Sequence, residues 1–269
     1  MKKKVINKHR TALFWIGLLV INIWFTAITK GEVVSLGNAE RFLFLTPTRI
    51  YEGGGGNSYI GDIGAPNIIS WNPDAFVGTW VRDRDTLDAA VTDAIEFSNI
   101  LMQLPVDDVI SSYCREWHTV KPGLNVVTLL ESGSGFTELP QIVMGGPADT
   151  VVCNVLASGE VIGGIQVRGG LLPENLVVNY INASWVLLGL GGERTAGTYL
   201  IRSGLINVAT GGSGLDGAVI AAGNIDIDIG GGSNLFVHHP LDASAIPEPA
   251  TILLLGSGAA MLLYKKRSA

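Results

Sequence analysis

The clearest alternation of apolar and polar residues along the chain runs from position 223 to position 230. Successive side chains of a β-strand point to opposite sides, so every second residue lies on the same side. The segment therefore predicts a strand with an apolar inner side and an acidic outer side. The inner residues are Ile225, Ile227 and Ile229, and the outer residues are Asp226 and Asp228.

Similar short apolar segments follow one another through the second half of the chain, bounded by Gly-Gly, Gly-Ser or Pro. Many short strands with glycine corners and no helix between them predict a mainly β fold, either a solenoid or a sandwich. Residues 59–65 have the same character and follow four glycines at 53–56. The predicted strands of the second half are 125–130, 141–144, 150–156, 164–167, 176–181, 185–190, 199–201, 205–209, 218–222 and 225–229.

One segment has the helical period instead. It begins near Asp83 or Asp85, either of which can cap a first turn, and it ends at Pro105. Acidic residues occupy the side opposite the apolar one, so we expect an amphipathic helix that packs against a core. The positions predicted to face that core are Leu87, Val91, Ala94, Ile95, Ser98, Leu101 and Met102.

The two ends of the chain differ from this body. Five basic residues within the first ten precede an apolar segment at 12–28, which is the arrangement of a secretory signal peptide. We assign residues 1–30 to this signal helix. An uncleaved N-terminal anchor is the alternative.

The C-terminal segment, 246–269, has three parts. Two prolines around a glutamate cannot continue a helix, the apolar run at 250–264 is shorter than the roughly 20 residues that span a bilayer, and basic residues end it. The motif is Pro247, Glu248 and Pro249, and the basic cluster is Lys265, Lys266 and Arg267.

This order of parts resembles the PEP-CTERM sorting signal. The resemblance implies recognition by an exosortase-type processing enzyme. It also implies a transmembrane-like C-terminal helix, which holds the protein in the inner membrane before release to the outer surface or extracellular matrix. An ordinary, unprocessed membrane anchor is the alternative.

Charge is distributed unevenly between the body and the ends. Nine basic and 23 acidic residues lie in the body, a net charge of −14 against −6 for the whole chain. A nucleic-acid surface is therefore excluded, because phosphate binding requires clustered cations. The two cysteines, Cys114 and Cys153, are an even pair in an exported protein, so either a disulfide or two separate thiols is expected.

Three segments carry a second resemblance. They are Leu172 to Tyr180 (LPENLVVNY), Gly217 to Ala221 (GAVIA) and Leu235 to Pro240 (LFVHHP). They are similar to the choice-of-anchor A family, which in turn resembles adhesin-type β-helices and ice-binding solenoids. The resemblance implies a right-handed β-solenoid with one long helix beside the stacked rungs.

Few residues suggest a catalytic or metal-binding site. Residues 211–216 (GGSGLD) resemble the start of a calcium nonapeptide repeat, which makes Asp216, with Asp226 and Asp228, a low-ranking candidate calcium site. His238 and His239 lack a third ligand for zinc, so no metal and no cofactor is predicted. No nucleophile elbow, phosphate loop or zinc-protease motif occurs. Threonines are scattered along the sequence rather than regularly spaced, which disfavours an ice-binding face.

We therefore predict an exported protein, not an enzyme, whose body at 31–245 is a β-solenoid with a structural or adhesive role, for which extracellular polysaccharide is a candidate partner. The alternative is a polysaccharide-cleaving enzyme on the same scaffold. An enzyme is expected to show a concave cluster of carboxylates, whereas an adhesive solenoid is expected to show a flat polar face.

Overall fold

The computed structural model describes residues 35–53, 56–70, 76–111, 117–130, 136–138, 142–189, 194–208, 214–230, 232–242 and 246. These residues belong to one compact unit, Val34–Ile246. The predicted signal helix and the predicted C-terminal helix lie outside the described residues. Among the residues that are described, no helix is long and apolar enough to cross a bilayer.

From residue 108 onwards the chain coils through successive rungs, each contributing one strand to each of two or three sheets. The strands are β8 (Asp108–Ser111), β9 (Trp117–Thr119), β10 (Leu124–Leu130), β11 (Phe136–Glu138), β12 (Ile142–Met144), β13 (Thr150–Val155), β14 (Glu160–Ile162), β15 (Gln166–Arg168), β16 (Leu176–Tyr180), β17 (Trp185–Leu188), β18 (Thr195–Ile201), β19 (Leu205–Val208), β20 (Gly214–Ala221), β21 (Ile227–Gly230) and β22 (Leu235–Val237).

Before the helix, the chain forms seven shorter strands. They are β1 (Phe42–Leu45), β2 (Arg49–Gly53), β3 (Ser58–Ile60), β4 (Asp62–Gly64), β5 (Asn67–Ile69), β6 (Phe76–Val77) and β7 (Trp80–Val81). They do not precede the first rung in space. Phe44 pairs with Val219 of β20, and Ile50 pairs with Ile227 of β21, so the first described strands stack on the last rungs of the body.

All pairings among the described strands are parallel, as expected of a solenoid. They form sheet A with twelve strands, sheet B in the order β11-β14-β17-β19-β21-β2-β5, and sheet C in the order β15-β12-β9. Inward side chains from successive rungs stack into one apolar core. The mainly β fold with parallel sheets and one helix confirms the predicted class.

Helix α1 (Arg84–Leu101) lies against the outer side of sheet A, so this sheet is buried on both sides. Asp83 caps the helix by accepting hydrogen bonds from the backbone N–H and the hydroxyl of Thr86 at 2.9 and 2.6 Å, which lower the pKa of its carboxyl. The buried side also includes Ala90 and Phe97, which are absent from the predicted core-facing positions. Met102, which is among them, is 44% exposed.

The C-terminal end of α1 is held by a polar network on the outer side of sheet A. The last carbonyls of a helix lack partners within it. Here the Asn154 amide donates to the Leu101 carbonyl at 3.0 Å, and the Asn179 amide donates to the Ser98 carbonyl at 3.2 Å. Asn179 also donates to Asn154 Oδ1 at 2.9 Å and accepts from the Ser98 hydroxyl at 2.7 Å. We call these residues the asparagine network.

Two glycines are required by close approach. Gly37 has φ of +55°, and a side chain there would collide with the Asp93 carboxylate, which accepts two hydrogen bonds from Asn38. Gly217 has φ of +150° and lies against the backbone of Gly197 on the adjacent rung. It divides β20 into one half that pairs with β22 and another half that pairs with β1.

Replacing Asn179 by Ala should destabilise the fold by about 2–4 kcal/mol, because it leaves the Ser98 hydroxyl and Asn154 Oδ1 buried without this partner. Chemical denaturation of the full chain measures the cost. Asn67→Ala, at an exposed position of β5, is the matched control and should cost less than about 0.5 kcal/mol. Equal costs for the two variants would show that the network does not hold the helix.

Candidate functional site

The outer side of sheet B is a regular surface of seven strands that helix α1 does not cover. Register between neighbouring strands arranges its side chains in two rows. The first row is Glu160, Trp185, Leu205, Asp226, Arg49 and Asn67, and the second is Ile162, Leu187, Asn207, Asp228, Tyr51 and Ile69. We call these twelve residues the open face. Each has an intermediate or exposed side chain.

The strand that carries Asp226 and Asp228 has the two sides that its sequence predicts. Ile225, Ile227 and Ile229 are 4%, 0% and 1% exposed, whereas both aspartates reach the open face. The regular strand begins at Ile227 rather than Ile225. Alternation therefore identified the face correctly, although the strand is shorter than predicted.

Asp226, Asp228 and Arg49 form the polar end of the open face, and the single arginine neutralises only part of its negative charge. Arg49 Nε lies 2.8 Å from Asp226 Oδ2 in an exposed ion pair. Partial burial raises the pKa of the Asp228 carboxyl, and the nearby Asp226 adds to this effect while Arg49 opposes it. This carboxyl can therefore donate or accept a proton closer to neutral pH than an ordinary aspartate.

The apolar end of the open face is formed by Trp185, Leu187, Leu205 and Ile162. Leu205 is 43% exposed, and Tyr51 on the polar end is 44% exposed. The indole N–H of Trp185 and Oδ1 of Asn207 have no hydrogen-bond partner among the described residues. Both atoms are buried, so this end of the face presents mainly apolar surface to solvent.

Asp216 does not join the other two predicted calcium ligands. It lies on the outer side of sheet A, where Arg194 donates to it at 2.7 Å from Nε and 2.5 Å from Nη2, and His239 Nε2 lies 3.7 Å away. Asp226 and Asp228 lie on sheet B. Within the described ranges, no group of three side chains is arranged to hold a metal ion. The three aspartates therefore form no shared site.

Cys153 is a free thiol among the described residues, and the disulfide to Cys114 stays a prediction. Its side chain is 3% exposed in the core, between Val127 and Val178 of adjacent rungs, and burial raises its pKa to about 12. Cys114 lies outside the described residues. The sequence contains an even number of cysteines, but this number could not show that the Cys153 side chain points into the core.

The two adjacent histidines close the last described strand. The His238 backbone N–H donates to the Ile60 carbonyl at 2.8 Å, and burial lowers the pKa of its ring. His239 instead approaches Asp216. The structure therefore places the pair at the seam where β3 pairs with β22, and in the described part no group of three metal-binding side chains forms there.

Comparisons with known proteins give separate results for the C-terminal motif and for the body. A family model described as the PEP-CTERM protein-sorting motif matches residues 245–267, which confirms the predicted sorting signal. The motif implies recognition by an exosortase and export to the cell surface or beyond. It comprises only the end of the chain, and the choice-of-anchor A resemblance of the body stays a prediction. No curated protein shows significant sequence similarity to the chain.

Solved structures of ice-binding proteins share the fold of the body. One from an Antarctic Flavobacteriaceae bacterium aligns with a TM-score of 0.57 and 17% identity, over 76% of this chain and 48% of that one. The present chain thus matches about half the length of that protein. A glycosylated ice-binding protein from an Arctic yeast aligns with a TM-score of 0.52 and 18% identity, covering 77% and 95% of the two chains.

A third structure, the DUF3494 domain of ice-binding protein 1 from Shewanella frigidimarina, aligns with a TM-score of 0.50 and 18% identity, covering 77% of this chain and 97% of that one. At such low identity these similarities define the fold alone. The chain therefore combines a body that shares its fold with these structures and a C-terminal PEP-CTERM sorting motif.

The two sides of β21 should respond differently to substitution. Ile227→Ala should cost about 2–5 kcal/mol, because it opens a cavity between stacked rungs. The double variant Asp226→Asn, Asp228→Asn should cost no more than about 1 kcal/mol, since it removes only one exposed ion pair. Denaturation of both variants measures the contrast. A silent Ile227→Ala would contradict the assignment of the inner side.

Proposed function

We propose that the protein is an exported, noncatalytic surface or matrix protein whose open face binds neutral polysaccharide. The arrangement of the open face carries this proposal. Rows of side chains about 4.8 Å apart, the spacing of hydrogen-bonded strands, form a long and nearly flat surface rather than a cleft. A flat surface suits an extended polymer, whereas a small substrate requires a concave pocket.

The side chains of the face match the chemistry of sugars. The ring of Trp185 and the aliphatic groups of Leu205 and Leu187 can pack against the apolar faces of sugar rings. Sugar hydroxyls both donate and accept hydrogen bonds, so they can pair with the exposed side chains of Arg49 and Asn67 on the same face. Because the body carries a net charge of −14, a neutral polymer is favoured over an acidic one.

The fold itself suggests ice binding as a second candidate, since the similar structures are named for that activity. The composition of the open face opposes it. A surface that matches an ice lattice needs ranks of short side chains, and none of the twelve open-face residues is Ser, Thr or Ala. The scattered threonines of the sequence and the side chains of the open face thus both disfavour ice binding.

Removing exposed contacts from the open face should weaken polysaccharide binding without unfolding the protein. We expect Leu205→Ala and Tyr51→Ala each to reduce retention of the full chain on immobilised dextran, a neutral glucan, by several-fold. Leu172→Ala is the matched control, because Leu172 is an exposed leucine (39%) outside the face, and it should bind as the unmodified chain does.

Two results would contradict the proposal. One is equal retention of Leu205→Ala and Leu172→Ala on a glucan that the unmodified chain binds. The other is absence of binding to neutral polymers together with binding to alginate, an anionic polymer. Thermal hysteresis of a solution of the full chain would instead support ice binding.

A further inference from the structure

Strand β8 forms an edge of sheet A at one end of the solenoid. It pairs with β10 in parallel register, from Asp108 with Val127 to Ser111 with Leu130. Among the described residues, no strand pairs with its other side. The backbone groups along that side therefore lack sheet partners, and such an edge is a template for a further strand.

An apolar groove lies beside this edge. Helix α1 ends at Leu101, and the chain then runs through residues 102–107 to β8. The groove between this segment and the outer side of sheet A has a volume of about 350 Å³, and we call it the end groove. Its apolar lining is Met102, Val106, Val109, Leu130 and Leu156, which are 37–54% exposed. Exposed apolar side chains that cluster in this way mark an interaction site.

The two sides of β8 have different surroundings. Val109 lines the end groove, whereas Ile110 is partly buried and packs against the core. Because side chains alternate along a strand, a strand added at this edge would place every second side chain beside Val109 and the others beside Ile110. Apolar side chains suit both positions, since each would cover exposed apolar surface.

Two exposed carboxylates stand at the beginning of this edge. Asp107 accepts a hydrogen bond from the Val126 N–H, and Asp108 accepts one from the Val109 N–H, each at 2.8 Å. Neither aspartate forms an ion pair in the described part of the chain. One oxygen of each carboxylate is therefore available to a cation from outside.

The other charges near this end leave it negative. Lys121, before β10, and Asp149, before β13, have opposite signs. Arg202 follows β18, four strands from β8, and about 19 Å exceeds the screening length of about 8 Å at physiological ionic strength. The sequence shortly after Ser111 and Leu130 adds Arg115, Glu116 and Glu131, with a formal charge of −1. A cationic partner is therefore favoured here, and an anionic one is repelled.

From these observations we propose that β8 is a docking site for an extended segment of a partner protein, one that combines apolar side chains with a lysine or arginine. The segment adds a strand to sheet A, covers the end groove with its apolar side chains and pairs its cation with Asp107 or Asp108. Main-chain hydrogen bonds supply affinity, and the alternate side chains supply specificity. Since β8 is four residues long, the contact is short and suits a transient interaction.

This docking is separate from polysaccharide binding, because the open face lies on sheet B. Fluorescence anisotropy of short labelled peptides with the full chain tests it. The probe is the hexapeptide Lys-Val-Leu-Val-Leu-Lys, and its counterpart, Glu-Val-Leu-Val-Leu-Glu, has the same apolar residues. We expect the lysine peptide to bind saturably and about tenfold or more tightly than the glutamate peptide.

The aspartates should account for this preference. The double variant Asp107→Asn, Asp108→Asn keeps an acceptor oxygen for both backbone N–H groups, and it should reduce the preference to less than about threefold. The double variant Asp226→Asn, Asp228→Asn is the matched control. It changes the net charge by the same amount on the open face, so it should leave the preference unchanged.

Backbone methylation distinguishes strand pairing from adsorption in the groove. Successive N–H groups of a strand point to opposite edges, so methylation of alternate central residues of the peptide leaves one edge intact. Methylation of all four central residues blocks both edges. We expect the fully methylated peptide to bind about tenfold or more weakly, and the alternately methylated peptide to bind within about threefold of the unmodified one.

The groove itself is tested by Val109→Lys. Val109 is 54% exposed, so this variant should melt as the unmodified chain does while losing the lysine peptide. Leu172→Lys, at an exposed leucine outside the groove, is its control and should retain the peptide.

Three results would overturn the proposal. They are absence of saturable binding of the lysine peptide, an equal loss of preference in the two double variants, and unchanged binding to a folded Val109→Lys chain. Equal affinity of the two methylated peptides, together with displacement of both by dodecylammonium, would contradict it as well. That outcome would show that the end groove takes a cationic amphiphile rather than a strand.

Discussion

The contact between the first strands and the last strands of the body is the interaction on which the rest of the body depends. Phe44 of β1 and Tyr59 of β3 pack with Phe236 of β22, with ring centroids 5.2–6.2 Å apart, and all three rings are fully buried. Nearby, Asn57 donates to the buried Glu52 and to the Gly230 carbonyl, and Asn234 donates to Asn57. Aromatic packing and satisfied polar groups together make this seam costly to open.

This closure determines where the helix must lie. Once residues 42–81 are stacked beyond β20, the chain has to return to the opposite end before it can begin the first rung at β8. Helix α1 makes this return along the outer side of sheet A, with Asp83 at its start and the asparagine network at its end. The same route leaves the outer side of sheet B uncovered by the helix, as the open face.

Local patterns in the sequence predict much of this body. Alternation and glycine corners identified strands such as β13 and β16 almost to their ends, and the side of β21 that faces solvent. They could not identify the pairing of Phe44 with Val219, because parallel partners so distant in sequence leave no local signal. Strand β8 and strand β9 were missed because they are short and lie between a proline and charged residues.

Only part of the open face could be predicted, because its residues come from strands that are distant in sequence. The sequence placed Asp226 and Asp228 outward, but Trp185, Asn207 and Arg49 become their neighbours only through the register of separate rungs. The asparagine network had one weak signal, since Asn154 and Asn179 occupy corresponding positions about one rung apart. Asparagines that recur at the rung spacing inside apolar strands can therefore indicate where a helix packs on the sheet.

Native-state hydrogen exchange on the full chain tests the closure most directly. If the first strands complete the solenoid, the amides of β1 and of the second half of β20 should open together, with the same free energy and the same dependence on denaturant. Phe236→Ala should lower the protection of both strands equally, because both depend on one aromatic cluster. Rapid, independent exchange of residues 42–45 alongside full protection of residues 218–221 would contradict the account.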